Sequence, residues 1–242
     1  LGDVYKRQNN ETGAIQPVEE AAARAGAVGT PLHVDAVQVV GKLPVDFHAL
    51  GAATLAASAH KFGGPRGMGI LLARRSPAPK PVVVGGGQER GIRSGTVDVA
   101  SAAATAAALE EATREMAGEE RRVAKLRDAL IRGTLAAVPD AALTTTEPAL
   151  SSHAHFVFEG ADTDSLLMLL DASGIAASAG SACAAGVARP SHVLEAMGFR
   201  DAEARGALRL TLGRTTTAED VEGFVAVIGG IVEKARAAGA LM

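Results

Sequence analysis

The stretch at 31–61, PLHVDAVQVVGKLPVDFHALGAATLAASAHK, decides the fold. It holds two short apolar runs, LHVD at 32–35 and an alanine-rich run within 52–61. Asp35 ends the first, and Ser58, His60 and Lys61 end the second. Apolar runs of this length, bounded by turn residues, read as buried strands. A third strand is expected in GMGILLARR (67–75), which opens on glycines and closes on arginines. Upstream, EEAAARAG (19–26) predicts a helix stopping at Gly26. A helix followed by strands with polar C-terminal ends is the pattern of an α/β layer, whose ligands bind at those ends.

Beyond the glycine-rich GGGQERGIRSGT (85–96) the pattern changes. Residues 98–138 are rich in alanine, with charges three and four apart (Glu110 and Arg114, Arg121 and Lys125). This predicts one long helix closed by Pro139. HAHFVFEG (153–160) reads as a strand, DTDSLLMLLDASG (162–174) as a capped helix ending at Gly174, and ALRLTLGR (207–214) as a half-buried strand. Thr216 and Glu219 have capping-box spacing ahead of an amphipathic helix reaching 238. The second half is therefore expected to be a small α+β domain.

Composition narrows the function. Of the 242 residues, 48% are hydrophobic and 21% charged, which suits a globular chain, and with 3% aromatics the core must be aliphatic. A net charge of −3 offers no electrostatic reason to expect nucleic acid or an anionic membrane. The longest uncharged stretch, 172–188, is mostly Ala, Ser and Gly rather than the residues of a lipid-facing helix. No secretory leader is read, and a single cysteine, Cys183, excludes an internal disulfide framework and fits a cytoplasmic setting. The first eight residues, LGDVYKRQ, lack a start methionine and resemble translated adapter sequence, so they are expected to take no part in the fold.

Taken singly, the polar residues have ordinary readings. Asp35 suits a turn or helix cap, Gln38 a solvated helix, His60 and Lys61 a surface pair. His33, His48, His153, His155 and His192 read as surface or strand residues, and no Cys/His cluster has zinc-ligand spacing, so no metal is expected. Cys183, within SAGSACAAG (178–186), has the usual reading of a lone cysteine as inert packing. Together, Asp35, Gln38, Ser58, His60 and Lys61 suit pyridoxal 5'-phosphate. That cofactor needs a lysine amine for its aldehyde, an acid for its ring nitrogen, and donors for its phosphate.

The motifs NNETGAIQP, HVDAVQVVGKLPVDF, SAHKFGGPRGMGIL, GGGQERGIRSGT, SAGSAC and LRLTLGR resemble, in order and spacing, those of the cysteine desulfurases, within the class V aminotransferases. The resemblance runs from about Asn9 to near the C-terminus. It implies a fold-type I pyridoxal-phosphate transferase: residues 9–112 as the C-terminal part of a large α/β/α domain, 113–242 as a small α+β domain with the cysteine loop. It further implies that Lys61 carries the cofactor, Asp35 pairs with its ring nitrogen, and Gln38 and Asn10 contact its hydroxyl side. Ser58 and His60 would bind its phosphate, and Thr96 would reach the phosphate of a neighbouring subunit in a homodimer. Arg209, with Asn10, would bind the substrate carboxylate, and Cys183 would be the nucleophile. The implied reaction converts L-cysteine to alanine, with sulfur transferred to a Cys183 persulfide and on to an acceptor such as an iron–sulfur scaffold or a tRNA-thiolation system.

Small residues around Cys183 suit a thiol that must travel. VARPSHVLEAMG (187–198) is like the desulfurases with the longer catalytic loop, which implies direct delivery to a scaffold protein. The family's fold also has a segment before NNETG with part of the phosphate-binding turn and the ring-stacking side chain. The chain is thus expected to be a truncated fragment of an active enzyme, one that binds cofactor poorly and is inactive as it stands. Two readings stand beside this one: a selenocysteine lyase or another class V pyridoxal enzyme, and a non-catalytic scaffold of the same fold. The joint presence of Asp35, Gln38, Lys61 and Cys183 argues against the scaffold.

Overall fold

LHVD forms strand β2 (Leu32–Asp35), and its alternation buries Leu32 and Val34 while Asp35 stays half-buried at the end. A computed structural model describes residues 3–180 and 191–239 of the chain; Cys183 lies outside them. The chain divides into two compact units, Leu1–Gln8 with Gln16–Ala117, and Asn9–Ile15 with Gly118–Met242. Placing Asn9–Ile15 in the second unit differs from the expected division. The reason is local pairing, since Ile15 N donates to Pro148 O (2.7 Å) and Leu150 N donates to Gly13 O (3.0 Å).

In the first unit, β1 (Asp3–Lys6), helix α1 (Val18–Ala27), β2, helix α2 (Phe47–Leu50), β3 (Thr54–Ser58) and β4 (Gly69–Ala73) follow one another. The sheet order is β1-β2-β3-β4; the first three strands are parallel and β4 is antiparallel to β3. Val18, Ala22, Leu32, Val34, Leu50 and Leu55 form its core, with half-buried Tyr5 against it. Residues 3–8 do contribute to the fold, contrary to expectation: β1 pairs with β2, and Arg7 forms an ion pair with Glu19 (2.8 Å). They fit imperfectly, because Gln8 is buried with neither amide atom hydrogen-bonded among the described residues.

Helix α1 carries Glu19 and Glu20 in its first turn and Arg24 in its last, which complements the helix dipole. It passes Gly26 and ends one residue later, because the left-handed backbone that stops it falls at Gly29 (φ +67°).

Helix α3 (Val99–Ala137) is the expected long helix and runs across the boundary between the units. The i,i+3 ion pair that forms along it is Glu119–Arg122 (3.0 Å). In the second unit, β5 (Ala142–Leu143), β6 (His153–Val157) and β7 (Ala207–Thr211) make an antiparallel sheet with β6 central. Helices α4 (Thr163–Ala172), α5 (His192–Ala196), α6 (Asp201–Ala204) and α7 (Ala218–Gly239) complete it. Phe156, Leu166, Leu170, Leu208, Phe224 and Ile228 are central to its core.

Asp162 caps α4 by accepting from Ser165 N (2.9 Å). The cap of α7 sits one residue later than the spacing predicted. Thr217 and Asp220 exchange the reciprocal bonds (2.9 and 3.2 Å). Thr216 instead closes a turn by accepting from Gly213 N, and its carbonyl accepts from Arg122. Among the described residues, no helix is long and apolar enough to cross a membrane.

Candidate active site

Parallel pairing of β2 and β3 brings their carboxyl ends to one edge, where Asp35 pairs in register with Ala56. Asp35 Oδ1 accepts from Val37 N (3.0 Å), the Asx turn its sequence suggests. The carboxylate's other oxygen has no hydrogen bond among the described residues. Past Ser58, the chain enters a 3-10 turn, Ala59–Lys61, rather than continuing the strand. The turn folds Ser58 Oγ and His60 Nδ1 to within 2.8 Å of each other and sets half-buried Lys61 beside them.

Phe62 fastens this turn. It is buried with Ala59 and Ala112, and a Cβ on Gly41 (φ +80°) would come within 2.6 Å of the Phe62 Cβ. Gly41 is thus required twice, by its conformation and by its neighbour. Gly64 N then donates to Ala59 O (2.8 Å), folding the chain back after the lysine.

Lys42 was not singled out by sequence reasoning, although it follows Gly41 directly. It is largely buried, and that burial, with the nearby Lys61 charge, pushes its pKa down to about 8. A second ammonium therefore faces the Lys61 side of this unit. Gln38 is half-buried, and Thr96 is exposed with no hydrogen bond among the described residues. The loop before Thr96 is tied to itself through buried Ser94, whose hydroxyl donates to Gly86 O (2.7 Å).

Asn10 and Arg209 belong to the second unit. Arg209 Nη1 donates to the carbonyls of Asn10 (3.0 Å) and Gly180 (3.1 Å). Asn9 shapes the turn that presents Asn10, because its Oδ1 accepts from Glu11 N (3.0 Å) and Thr12 N (3.1 Å). Two histidines of β6 are buried, which corrects the surface alternative for them: His153 is 3% exposed and His155 fully enclosed. His155 Nδ1 bonds Thr144 Oγ1, while Nε2 has no partner among the described residues. Burial and the Arg209 charge push its pKa down to about 4.

His155 is therefore neutral in the fold, whereas its unfolded value is about 6.5. The unfolded chain binds this proton first, so stability rises with pH between about 4 and 6.5 and is lost as pH falls through that window. The expected loss in the second unit across that window is roughly 3–3.5 kcal/mol, at about 1.4 kcal/mol per pKa unit. Thermal melts at pH 7.5, 5.5 and 4.5 should show a steeper acid loss for the wild type than for His155→Gln. Equal slopes would remove His155 as the cause.

The donor set at the β2 and β3 ends fits pyridoxal phosphate: a lysine amine, a carboxylate oxygen left unbonded, and adjoining hydroxyl and imidazole groups. The family model described as aminotransferase class-V matches residues 4–224. The chain belongs to the class V aminotransferase family.

Members of that family with similar sequences include an IscS-like cysteine desulfurase of Mycobacterium tuberculosis, 50% identical over 95% of this chain. The cysteine desulfurase NifS of Azotobacter vinelandii is 41% identical over 94%. The chain spans 59% and 57% of those two proteins. Among solved structures, a NifS-like protein matches with TM-score 0.86 and 34% identity, covering 96% of this chain and 61% of that one. Another, from Rickettsia africae, also gives 0.86, at 27% identity, covering 95% and 61% respectively. These likenesses make the fold a fold-type I pyridoxal-phosphate fold. The family match begins at residue 4, inside the octapeptide expected to be foreign.

Proposed function

We propose that the chain is the cofactor- and cysteine-bearing part of a cysteine desulfurase. The observation that carries this reading is the cluster of Ser58, His60 and Lys61 on one turn, beside Asp35 on the adjacent parallel strand. Similarity to proteins named cysteine desulfurase, up to 50% identical, supports the substrate.

Lys61 would hold pyridoxal phosphate covalently, Asp35 would keep its ring nitrogen protonated, and Gln38 and Asn10 would bind its hydroxyl side. Ser58 and His60 would hold the phosphate together with Thr96 of a second copy. The bound cofactor supplies an electron sink for charge developing at the substrate α-carbon. Arg209 would bind the α-carboxylate of L-cysteine, a task for which its fork geometry suits it.

The Cys183 thiolate would attack the substrate sulfur. A sulfur–sulfur bond forms and the carbon–sulfur bond breaks, with its electron pair left on the carbon that becomes the alanine methyl. In sum, L-cysteine and the Cys183 thiol give L-alanine and a Cys183 persulfide, without an outside oxidant. The persulfide would pass to an acceptor, such as an iron–sulfur scaffold, in the cytoplasm. Self-association as a homodimer is supported by apolar exposure flanking the loop of Thr96: Val82 is 95% exposed, Val84 79% and Val99 72%.

The test is borohydride reduction of the full-length protein with pyridoxal phosphate, followed by peptide mapping. A pyridoxyl label on Lys61 is expected, and it should vanish in Lys61→Ala. No label on Lys61 would favour the non-catalytic scaffold.

A further inference from the structure

The carboxylate of Glu11 is 1% exposed and has no place in the chemistry above. Its Oε2 accepts the hydroxyl proton of Ser191. The same oxygen lies against Gly180: a Cβ there would come within 2.7 Å of it, and within 3.0 Å of His155 Nε2. A side chain at position 180 would therefore have to displace the Glu11 carboxylate. Ser191 and Gly180 bracket the ten residues 181–190, which include Cys183. The two described residues that flank this segment thus both lie against one carboxylate oxygen.

Each flank is also tied to the core of the second unit. Gly180 O accepts from Arg209, and Ser178 exchanges backbone bonds with Arg209 on β7 (3.2 and 2.8 Å). Ser191 Oγ caps α5, accepting from Val193 N (3.2 Å) and Leu194 N (3.3 Å), and Leu194 is fully buried. Glu11 is itself held by the Asn9 turn. Since loop ends must be brought together at an entropic cost, a group bonded to one flank and packed against the other helps to hold the two flanks near each other.

We propose that Glu11 is a positioning residue for the two flanks of the Cys183 segment, bonding Ser191 and packing against Gly180. The proposal rests on Cys183 being the nucleophile, but its test does not require turnover. Ser191→Asp keeps a good helix cap while setting a second carboxylate against Glu11. Glu11→Gln keeps an acceptor for Ser191 and adds a donor for Asp at 191.

The readout is the rate of elastase cleavage within 181–190, located by mass spectrometry, with circular dichroism as the check on folding. Cleavage of a locally opened segment follows the population of the open form. Ser191→Asp is expected to raise it about tenfold, the scale of losing one charge-assisted hydrogen bond. Glu11→Gln alone should stay within about twofold, and the double variant should return towards wild type, the signature of direct coupling.

An equal rise for Ser191→Asp in both backgrounds, or no rise in either, overturns the proposal. So does a rise matched at sites elsewhere in the chain, which would indicate general destabilisation. Should Ser191→Asp fail to fold, Glu11→Ala gives the same comparison against Glu11→Gln. Retained L-cysteine turnover in Cys183→Ala would instead refute the nucleophile assignment and leave the flank anchoring standing.

Discussion

In the full-length enzyme of which this chain is proposed to be a part, Cys183→Ala is expected to stop alanine release from L-cysteine, by roughly four orders of magnitude or more, the scale seen when a covalent nucleophile is removed. The chain has no other thiol to take the substrate sulfur. Hydroxyls and amines make poor substitutes, because sulfur transfer to them forms no persulfide. The proposal places cofactor binding on Asp35, Ser58, His60 and Lys61 and not on Cys183, so the borohydride label on Lys61 should remain. Selenocysteine provides the contrast. Selenium leaves carbon more readily than sulfur, so its elimination should survive the loss of Cys183 in part. Measuring both substrates on wild type and variant, alanine against time, separates the readings. Equal retention of both activities would remove Cys183 from the mechanism, and loss of selenocysteine turnover alone would favour a selenocysteine lyase.

A second large effect is expected at Gly206, just before β7 and three residues ahead of Arg209. A Cβ there would lie 2.0 Å from Phe158 O and 2.8 Å from Phe158 C. Those are backbone atoms, and Phe158 cannot yield easily: its side chain is fully buried and its N donates to Gly206 O (3.0 Å). Gly206→Ala must therefore pull β6 and β7 apart at this end. A loss above about 4 kcal/mol is expected, the range reserved for severe overpacking and broken buried bonds. Gly198→Ala is the control. Gly198 has φ +90° but nothing within 4 Å of a Cβ, so its cost should be only the ~1–2 kcal/mol of left-handed strain. Urea unfolding of both variants is the measurement. Similar losses would mean that the Phe158 contact relaxes freely.

Much of the first unit could be read directly from local pattern. LHVD and TLAAS alternate as strands should, and their polar ends are where the candidate ligands of the cofactor gather. What the pattern could not show was set by partners distant in sequence. His155 reads as an ordinary strand residue until Thr144 and Thr145 fold against it, the first through Nδ1 and the second by accepting from His155 N at 2.9 Å. Glu11 looks like a solvated charge beside Asn10, because its partners are 169 residues away at Gly180 and 180 away at Ser191. The one-residue shift in the cap of α7 has a similar cause: Arg122, on another helix, holds the carbonyl of Thr216. Lys42 is different. The glycine before it was visible, but nothing local showed that the turn at Gly41 would bury the next side chain.

The path of the chain has a practical consequence. It passes between the two units at three points, after Gln8, after Ile15 and after Ala117. No single cut can therefore separate them into two intact pieces. A piece beginning at Gly118 would leave behind the acceptor of the Ser191 hydroxyl and one of the two carbonyls that receive Arg209. To isolate the second unit, residues 9–15 would have to be re-attached, for example by circular permutation.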